Sequence, residues 1–465
     1  MTGLTLQASQ AGLPTPNSTH SFWHREPSAA LLGHRTTERL PATADVVIVG
    51  SGITGTFAAR ELATGGRGVL LLEAREACWG ATGRNGGHCQ PGVWNNKPSI
   101  ARFELATFDF IKHLIADNDI HCDWEVVGGV HAFFSQEVLD AAEEQIRRLQ
   151  QHPDLKDKAV LLDKHRLGQY RVPDAIGAVY QPNAAKCWPY KLVAWVLERL
   201  LRDHSADEFN LQTKTPVTHL QRTASSWIVH TERGQVAAKN VLLASNAYTS
   251  YLLPKLTGLI VPVRGQVCAL QPPEGATLLP HSYVWLSNNT DDYLIQRGGE
   301  NRESSSSSDK FLIFGGERLA VAGGQEGIYR DDEVDPVVGQ HLHHGLYSAV
   351  KLRPPNEDEE TELRASYEWT GIMGYSRDGH PWVGPVPAGL GGVEGADGLW
   401  ISAGYTGHGM PVAARCGIAV AEMILGRERG VEVPEEFVAS DKRAEAARLM
   451  ELPRTIKDKL KMLAD

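Results

Sequence analysis

The sequence predicts a mixed α/β and α+β fold that opens on a Rossmann-type dinucleotide-binding unit. Three regions carry that reading. The stretch "ADVVIVGSGITGTFAARELATGGRGVLLLE" (44–73) is an apolar strand, a glycine turn, a helix and a second apolar strand. Four runs of strand composition between residues 259 and 318 read as an antiparallel region. Much later, "GLWISAGYTGHGMPVAARCGIAVAEMILG" (398–426) repeats the order strand, glycine turn, helix.

In the first region, Asp45 to Val49 is rich in β-branched residues, the composition of a strand buried on both faces. Gly50, Gly52 and Gly55 follow in the G-x-G-x-x-G spacing, with Ala59 four residues later. Gly50 permits the tight turn, Gly52 lets the backbone approach a pyrophosphate, and Gly55 with Ala59 lets the helix lie close to the sheet. The helix N-terminus then points N–H groups and the positive dipole end at phosphate. A second apolar run, Val69 to Leu72, ends in Glu73, 23 positions past Gly50, where an acid takes a ribose 2′-hydroxyl. An acid there argues against a 2′-phosphate and so against NADP; NAD and FAD both stay open.

Composition bounds the rest. A chain of 465 residues has room for two or three domains, and 42% hydrophobic with 22% charged residues is ordinary for a globular protein. A formal charge of −10 with no basic cluster disfavours nucleic acid as a partner. No apolar run is long enough for a transmembrane helix, and "MTGLTLQASQAGLPTPNSTH" lacks the form of a secretory signal, so no membrane association is expected. Cys78, Cys89, Cys122, Cys187, Cys268 and Cys416 are scattered without a C-x-x-C pair, which fits buried free thiols and a cytoplasmic setting.

The remaining elements follow from pattern. Residues 1–44 read as an arm whose "SFW" part docks on the body. "SQEVLDAAEEQIRRLQQH" is a helix opening at Ser135, and "YKLVAWVLERLLRD" after Pro189 is an amphipathic one. "VTHLQRTASSWIVHTERGQVAAKNVLLASNAY" (217–248) alternates as a meander and ends in a buried strand. "LIVPVRGQVCALQ", "SYVWLSN", "DYLIQR" and "FLIFGGER" are the four strands of the antiparallel region. "GGENRESSSSSDK" between the last two, with its run Ser304–Ser308, reads as a mobile hairpin tip. "DEVDPVVGQHLHHGLYSAVKL" reads as a further helix. Its His341, His343 and His344 lack the spacing and carboxylates of a metal site, so no metal is expected. "NEDEETE" from Asn356 reads as a solvated acidic loop, and Arg264 in "VPVRGQ" as a structural ion pair.

Two glycine-rich segments decide the cofactor. "AREACWGATGRNGGHCQPG" (74–92) surrounds Thr82, Arg84 and Asn85 with glycines, suited to a second contact with a long cofactor. "GYTGHGMPVAA" places Gly404, Gly407 and Gly409 before an apolar helix, whose N-terminus stabilises negative charge. A reduced flavin is anionic at N1 and the C2 carbonyl, and a simple nicotinamide enzyme needs no second such helix. FAD is therefore the expected cofactor.

In order, "VVIVGSGITG", "WGATGRNGG", "VPVRGQ", "FLIFGGER", "YEWTGIMGYSRDGHPWVG" and "ISAGYTGHGM" resemble the blocks of the D-amino-acid-oxidase-type (DAO) FAD-dependent oxidoreductases. The γ-glutamylputrescine oxidase-like branch, with its "GRNGG" and N-terminal "SFW"-type segment, is the most similar in flavour. The resemblance spans roughly residues 20 to 430. It implies a Rossmann-type FAD-binding domain assembled from separated segments (45–108, 158–256 and 366–430). It implies, too, a substrate domain on a large antiparallel sheet (109–157 and 257–365), leaving 431–465 as a tail. It further implies oxidation of the C–N bond of a small amine or amino acid to an imine, with O₂ as the usual acceptor.

Carried over onto this chain, Gly50, Ser51, Gly52, Ile53, Thr54 and Gly55 would hold the pyrophosphate, and Glu73 with Ala74 the ribose. Arg75, Trp79, Gly80, Thr82, Arg84, Asn85, Gly86, Gly87 and His88 would line the diphosphate and flavin. Val217 and Ala244 would meet the adenosine half, and Gly404, Gly407, His408, Gly409 and Met410 the flavin's N1/C2 edge. Gly371 and Arg84 stand at positions where some family branches attach flavin covalently through cysteine or histidine, so the FAD is expected to be non-covalent. Pro411 stands where sarcosine oxidases carry a lysine for the substrate carboxylate, which counts against a substrate held in that manner. Dry aromatic walls would favour the unprotonated amine. Tyr293, Trp369, Tyr375 and Tyr405 are candidate walls, and His408, His88 and Tyr293 the candidate catalytic residues, with His408 donating to the reduced ring. For each of them plain packing is the competing reading.

Overall fold

The structure, a computed structural model, describes residues 6–287, 291–298, 310–354, 357–393, 398–427 and 430–464. The serine run Ser304–Ser308 and the first residue of the acidic loop, Asn356, lie outside them.

One sheet grows outward from the strand Thr43–Val49. It lies parallel to Val69–Leu72 on one side and to Gly234–Leu243 on the other, with Val47 opposite both Leu70 and Val241. Phe209–Gln212 and Leu399–Ala403 continue the parallel order at the two ends. Val46, Val47 and Ile48 have no exposed surface, because helices cover one face, and Val217, Trp227, Leu256, Trp382 and the helix Asp441–Arg448 cover the other. The helix Ile53–Thr64 packs beside Pro189–Asp203 and Ala413–Leu425 on that sheet. On the edge away from Thr43–Val49, Gly234–Leu243 serves two further partners: its first half pairs antiparallel with Trp227–Thr231, which pairs in turn with Val217–Arg222, and its second half pairs with Leu399–Ala403.

The second sheet has eight strands in the order Ala365–Ser376, Ile260–Leu270, Leu312–Gly316, Asp291–Gln296, Ser282–Leu286, Gly129–Phe133, Gly177–Gln181 and Val160–Leu162. All junctions are antiparallel except Gly129–Phe133 with Ser282–Leu286. The last two strands correct the sequence-based segmentation, which grouped 158–256 with the nucleotide-binding part. Gly177–Gln181 pairs onto Gly129–Phe133 in the second sheet, and Val160–Leu162 pairs onto Gly177–Gln181. Strand partnership at that separation is decided by which apolar face must be covered, and local composition does not report it.

Other differences have equally local causes. A twenty-residue helix, Pro98–Asp117, opens with Pro at its first turn and runs through the expected boundary at residue 108. The segment from residue 332 forms a helix only over Pro336–His344, capped by the Asp335 carboxylate, which accepts from the N–H groups of Val337 and Val338. Its three histidines face three different acids: Glu317, Glu368 and Glu362. Arg264 is buried and pairs with Gln325 and Glu333. Residues 431–464, expected as a tail, carry the helices Asp441–Arg448 and Ile456–Ala464. Asp458 begins the second by accepting from the N–H groups of Arg454 and Thr455.

The arm docks through its aromatic part. Phe22 and Trp23 are fully buried; the Trp23 indole donates to the Asn85 carbonyl (2.6 Å), and Trp188 donates to the Trp23 carbonyl (2.7 Å). All six cysteines are buried and free. Among the described residues, no helix is long and apolar enough to cross a membrane.

Candidate functional site

The site begins where the strand Thr43–Val49 ends. Gly50 has φ +106°, and a Cβ there would lie 2.7 Å from the Ala244 carbonyl oxygen. A Cβ on Gly55 would lie 1.9 Å from the Gly50 carbonyl oxygen, so neither position tolerates a side chain. The turn delivers the chain into the helix Ile53–Thr64, where Gly52 offers no side-chain cap and the Ile53 N–H donates to the Thr82 hydroxyl (3.1 Å). Glu73, at the end of the neighbouring strand, bends back over this turn. Its carboxylate accepts from the Ser51 N–H (3.0 Å), the Ser51 hydroxyl (2.7 Å) and the Arg75 N–H (3.0 Å).

From Glu73 a cavity of about 400 Å³ runs between the two sheets. Val217, Ala244, Tyr248 and, from the arm, Gly12 to Pro14 form its nucleotide end. Gly80 to Thr82 and Arg84 to Gly86 line the middle. Beyond the turn Gly407 to Met410 it is bounded by His88, His131, Tyr293, Met373, Tyr375, Arg318 and Lys459. Among the described lining residues Glu73 is the sole acid, whereas Arg75, Arg84, Arg318 and Lys459 are basic.

Arg75 and Arg84 are held by the protein itself. Both converge on Asp331, which is fully buried: Arg75 Nη1 donates to both carboxylate oxygens at 2.9 Å, and Arg84 Nε lies 3.4 Å away. Arg84 also donates to the Thr370 carbonyl, the Thr19 carbonyl and the Ser18 hydroxyl, and Thr15 donates to Asp331 at 2.6 Å. Burial pulls the Arg84 pKa down to about 10 against the opposing attraction of Asp331. This network pins the arm to the cavity wall. A Cβ on Gly371 would sit 3.1 Å from that of Arg84, so the two positions considered for covalent attachment are neighbours.

Three histidines, His88, His131 and His408, line the far end of the cavity. His88 shares Nδ1 with the Gly86 carbonyl (3.1 Å), stands edge-on to Tyr293 at 5.2 Å between ring centres, and leaves Nε2 buried without a hydrogen-bond partner. Burial pulls its pKa down to about 4. His131 receives the Trp94 indole N–H on Nδ1 (2.9 Å), packs against Gln90 and Gln181, and is pulled down to about 3 by burial. His408 places Nε2 2.8 Å from Oε2 of Glu104, a residue of the helix Pro98–Asp117 that is only 2% exposed. Glu104 also accepts from the Gly92 N–H (2.6 Å) and the Asn96 amide (3.0 Å). The nitrogen of His408 best placed to donate is thus engaged with protein, and Nδ1 alone is left for a ligand.

Of the residues named from sequence, Gly50, Gly52, Ile53, Thr54, Glu73, Ala74, Arg75, Gly80, Thr82, Arg84, Asn85, Gly86, His88, Val217 and Ala244 line the cavity. So do Tyr293, Tyr375, Tyr405, Gly407, His408, Gly409 and Met410. Others stand behind it. Ser51 ties Glu73 to the Cys78 N–H, Gly55 packs beneath the turn, and Trp79 stacks on His24 at 3.8 Å. Gly87 lies against Trp23, Gly404 shapes the backbone at φ +84°, and Trp369 is fully buried, donating to the Arg84 carbonyl (2.7 Å). Trp369 is therefore not a wall of the cavity. Sequence reasoning missed Gln90, Glu104, His131, Arg318, Lys459 and the arm residues Gly12 to Pro14. Of these, Gln90, inside the "GRNGGHCQPG" block, and Arg318, the last residue of "FLIFGGER", sat in or next to a readable motif.

A parallel sheet with a glycine turn and terminal acid, a second sheet and a long cavity between them together define a dinucleotide-binding oxidoreductase of the two-domain flavoprotein class. The family model described as "FAD dependent oxidoreductase" (DAO) matches residues 45–423, and the chain belongs to that family. The glycine oxidase of Pseudomonas aeruginosa is 26% identical over 419 residues, covering 82% of this chain and 95% of the relative. The γ-glutamylputrescine oxidoreductase of Escherichia coli K12 is 25% identical over 402 residues, covering 83% and 84%. Among solved structures, glycine oxidase from Geobacillus kaustophilus matches with a TM-score of 0.66 at 21% identity, over 84% of this chain and 97% of that one. L-proline dehydrogenase from P. horikoshii matches with 0.65 at 20% identity, over 85% and 96%. The cavity suits FAD: a buried acid ends the strand beside the glycine turn, the helix N-terminus at Gly52 to Thr54 lines the wall, and the far end offers an unpartnered buried imidazole nitrogen.

Proposed function

We propose that this protein oxidises the C–N bond of an amine or amino acid to an imine, using non-covalent FAD. One observation carries the reading: a single cavity continues from Glu73 and the glycine turn to the chamber of His88, Tyr293 and His408. The relatives named for glycine and γ-glutamylputrescine support an amine-bearing substrate. Bound FAD would supply the hydride acceptor and pass the electrons on to O₂, giving hydrogen peroxide. The chain's own work is to hold and dry the substrate. Gly50 to Gly55, Glu73 and Gly80 to Gly86 would hold the dinucleotide, and the Gly407 to Met410 turn would lie along the flavin. Val284, Leu286, Met373, Tyr375 and Tyr293 would close around the amine and penalise its charged form. Six buried free thiols support a reducing, cytoplasmic setting.

The test is an anaerobic panel of amines and amino acids mixed with the purified flavoprotein, followed by flavin absorbance. Bleaching by one class, and peroxide release when air is admitted, is the expected result. Bleaching without peroxide would replace O₂ by another acceptor. A flavin that no amine or amino acid bleaches would refute the reading.

A further inference from the structure

We infer that Glu104 and His408 form a proton-accepting pair, in which Glu104 positions His408 so that Nδ1 takes the proton of the incoming substrate ammonium. The inference rests on the amine-oxidising reading above and adds to it the step that reading needs first. An alkylamine with a lysine-like pKa is neutral in only about one molecule in 2,500 at pH 7, and a protonated nitrogen has no lone pair with which to form C=N. In the proposed step the ammonium N–H bond breaks, its electron pair stays on nitrogen, and an N–H bond forms at Nδ1 of His408.

The geometry sets the tautomer. Glu104 lies in the protein interior, and its two oxygens collect three N–H donors: Gly92, Asn96 and His408 Nε2. A carboxylate so surrounded acts as acceptor, so a neutral His408 carries its hydrogen on Nε2 and its lone pair on Nδ1. Nδ1 has no hydrogen-bond partner among the described residues, and the side chain is 40% exposed on the cavity wall, which gives the proton a way out to water. The other two histidines are unsuited, since burial holds both neutral. The groups facing the pair from other elements are His131 and His88, Cys89 beside Glu104, Arg415 and Cys416 on the helix Ala413–Leu425, and Tyr375 beside Gly407. The two thiols are pushed up by burial, so neither changes charge near neutral pH.

The test is the pH profile of anaerobic flavin reduction at limiting amine. His408→Asn is expected to lower the rate at pH 7 by about 10²-fold. It should also remove the wild-type plateau, so that the rate climbs with the neutral fraction of free amine. Glu104→Gln leaves His408 a weaker proton acceptor and should move the acid limb to lower pH. His408→Gly should regain rate with added imidazole. Independently of turnover, histidine-selective ¹⁵N spectra should show Nδ1 of His408 gaining a proton when an amine without an α-hydrogen binds. Variant profiles that superimpose on wild type after scaling, or an unmoved Nδ1 signal, would overturn the pair. A wild-type flavin that no amine reduces would overturn the amine-oxidising reading, and the pair's role with it.

Discussion

Replacing Glu73 by alanine separates two duties that the structure lays on one carboxylate. Three donors lose their acceptor: the Ser51 N–H, the Ser51 hydroxyl and the Arg75 N–H. The hydroxyl can turn away, but the two backbone groups cannot. A buried donor left unpaired costs about 1–3 kcal/mol, so the apoprotein should lose about 2–6 kcal/mol. Glu73 lines the cavity, so water can reach the vacated space and the lower end is expected. The ribose contact is a further charged hydrogen bond, at about 1.5–3 kcal/mol, which is roughly one to two powers of ten in FAD affinity. Thermal melting of the apoprotein reads the first effect, and quenching of flavin fluorescence on titration reads the second. An apoprotein that melts normally but binds FAD weakly would leave only the ribose duty. Unchanged FAD affinity would refute the assignment of Glu73 to the cofactor.

Acid precipitation should release the FAD into the supernatant, because Gly371 and Arg84 offer no attachment chemistry; flavin absorbance in the pellet would show a bond, with His88 the first residue to examine. Deleting residues 2–16 removes the Thr15 bond to Asp331 and the Gly12 to Pro14 wall, and should weaken FAD binding about tenfold or more, read from the rate of flavin loss on dilution. Stability should be greatest above about pH 6.5 and fall as pH drops towards about 4, because the unfolded chain protonates His24, His88 and His131 while burial keeps them neutral in the fold. Denaturant midpoints across that range check this, and His88→Gln should flatten the slope.

The parts legible in the sequence are those whose chemistry is local. Gly50, Gly52, Gly55 and Glu73 announce the nucleotide turn because a tight turn and a terminal acid have few alternative uses. The helix Gln136–Leu149 shows its period openly, and the strand Ile260–Leu270 its strand composition. Glu104 does not: an acid on a helix is ordinarily solvated, and its burial depends on a histidine 304 residues away. His131 sits in a five-residue strand buried throughout, where no alternation marks one face as special. The partners of Val160–Leu162 and Gly177–Gln181 were hidden because pairing is settled between faces distant in sequence. Trp369 shows the reverse error, since a large aromatic in a motif serves packing as readily as a site.

The docking of the arm has a consequence for the order of biosynthesis. Thr15 meets Asp331 across 316 residues, and Thr19 meets Thr370 across 351. During translation the arm therefore waits, unsatisfied, until the chain that receives it has been made, and contacts of such separation form late in folding. Until then the nucleotide end of the cavity stands open, and FAD can enter a protein whose parallel sheet is nearly complete. Seating the arm then adds Gly12 to Pro14 to the cavity wall. Flavin supplied during synthesis should reach its place more readily than flavin offered to the finished apoprotein.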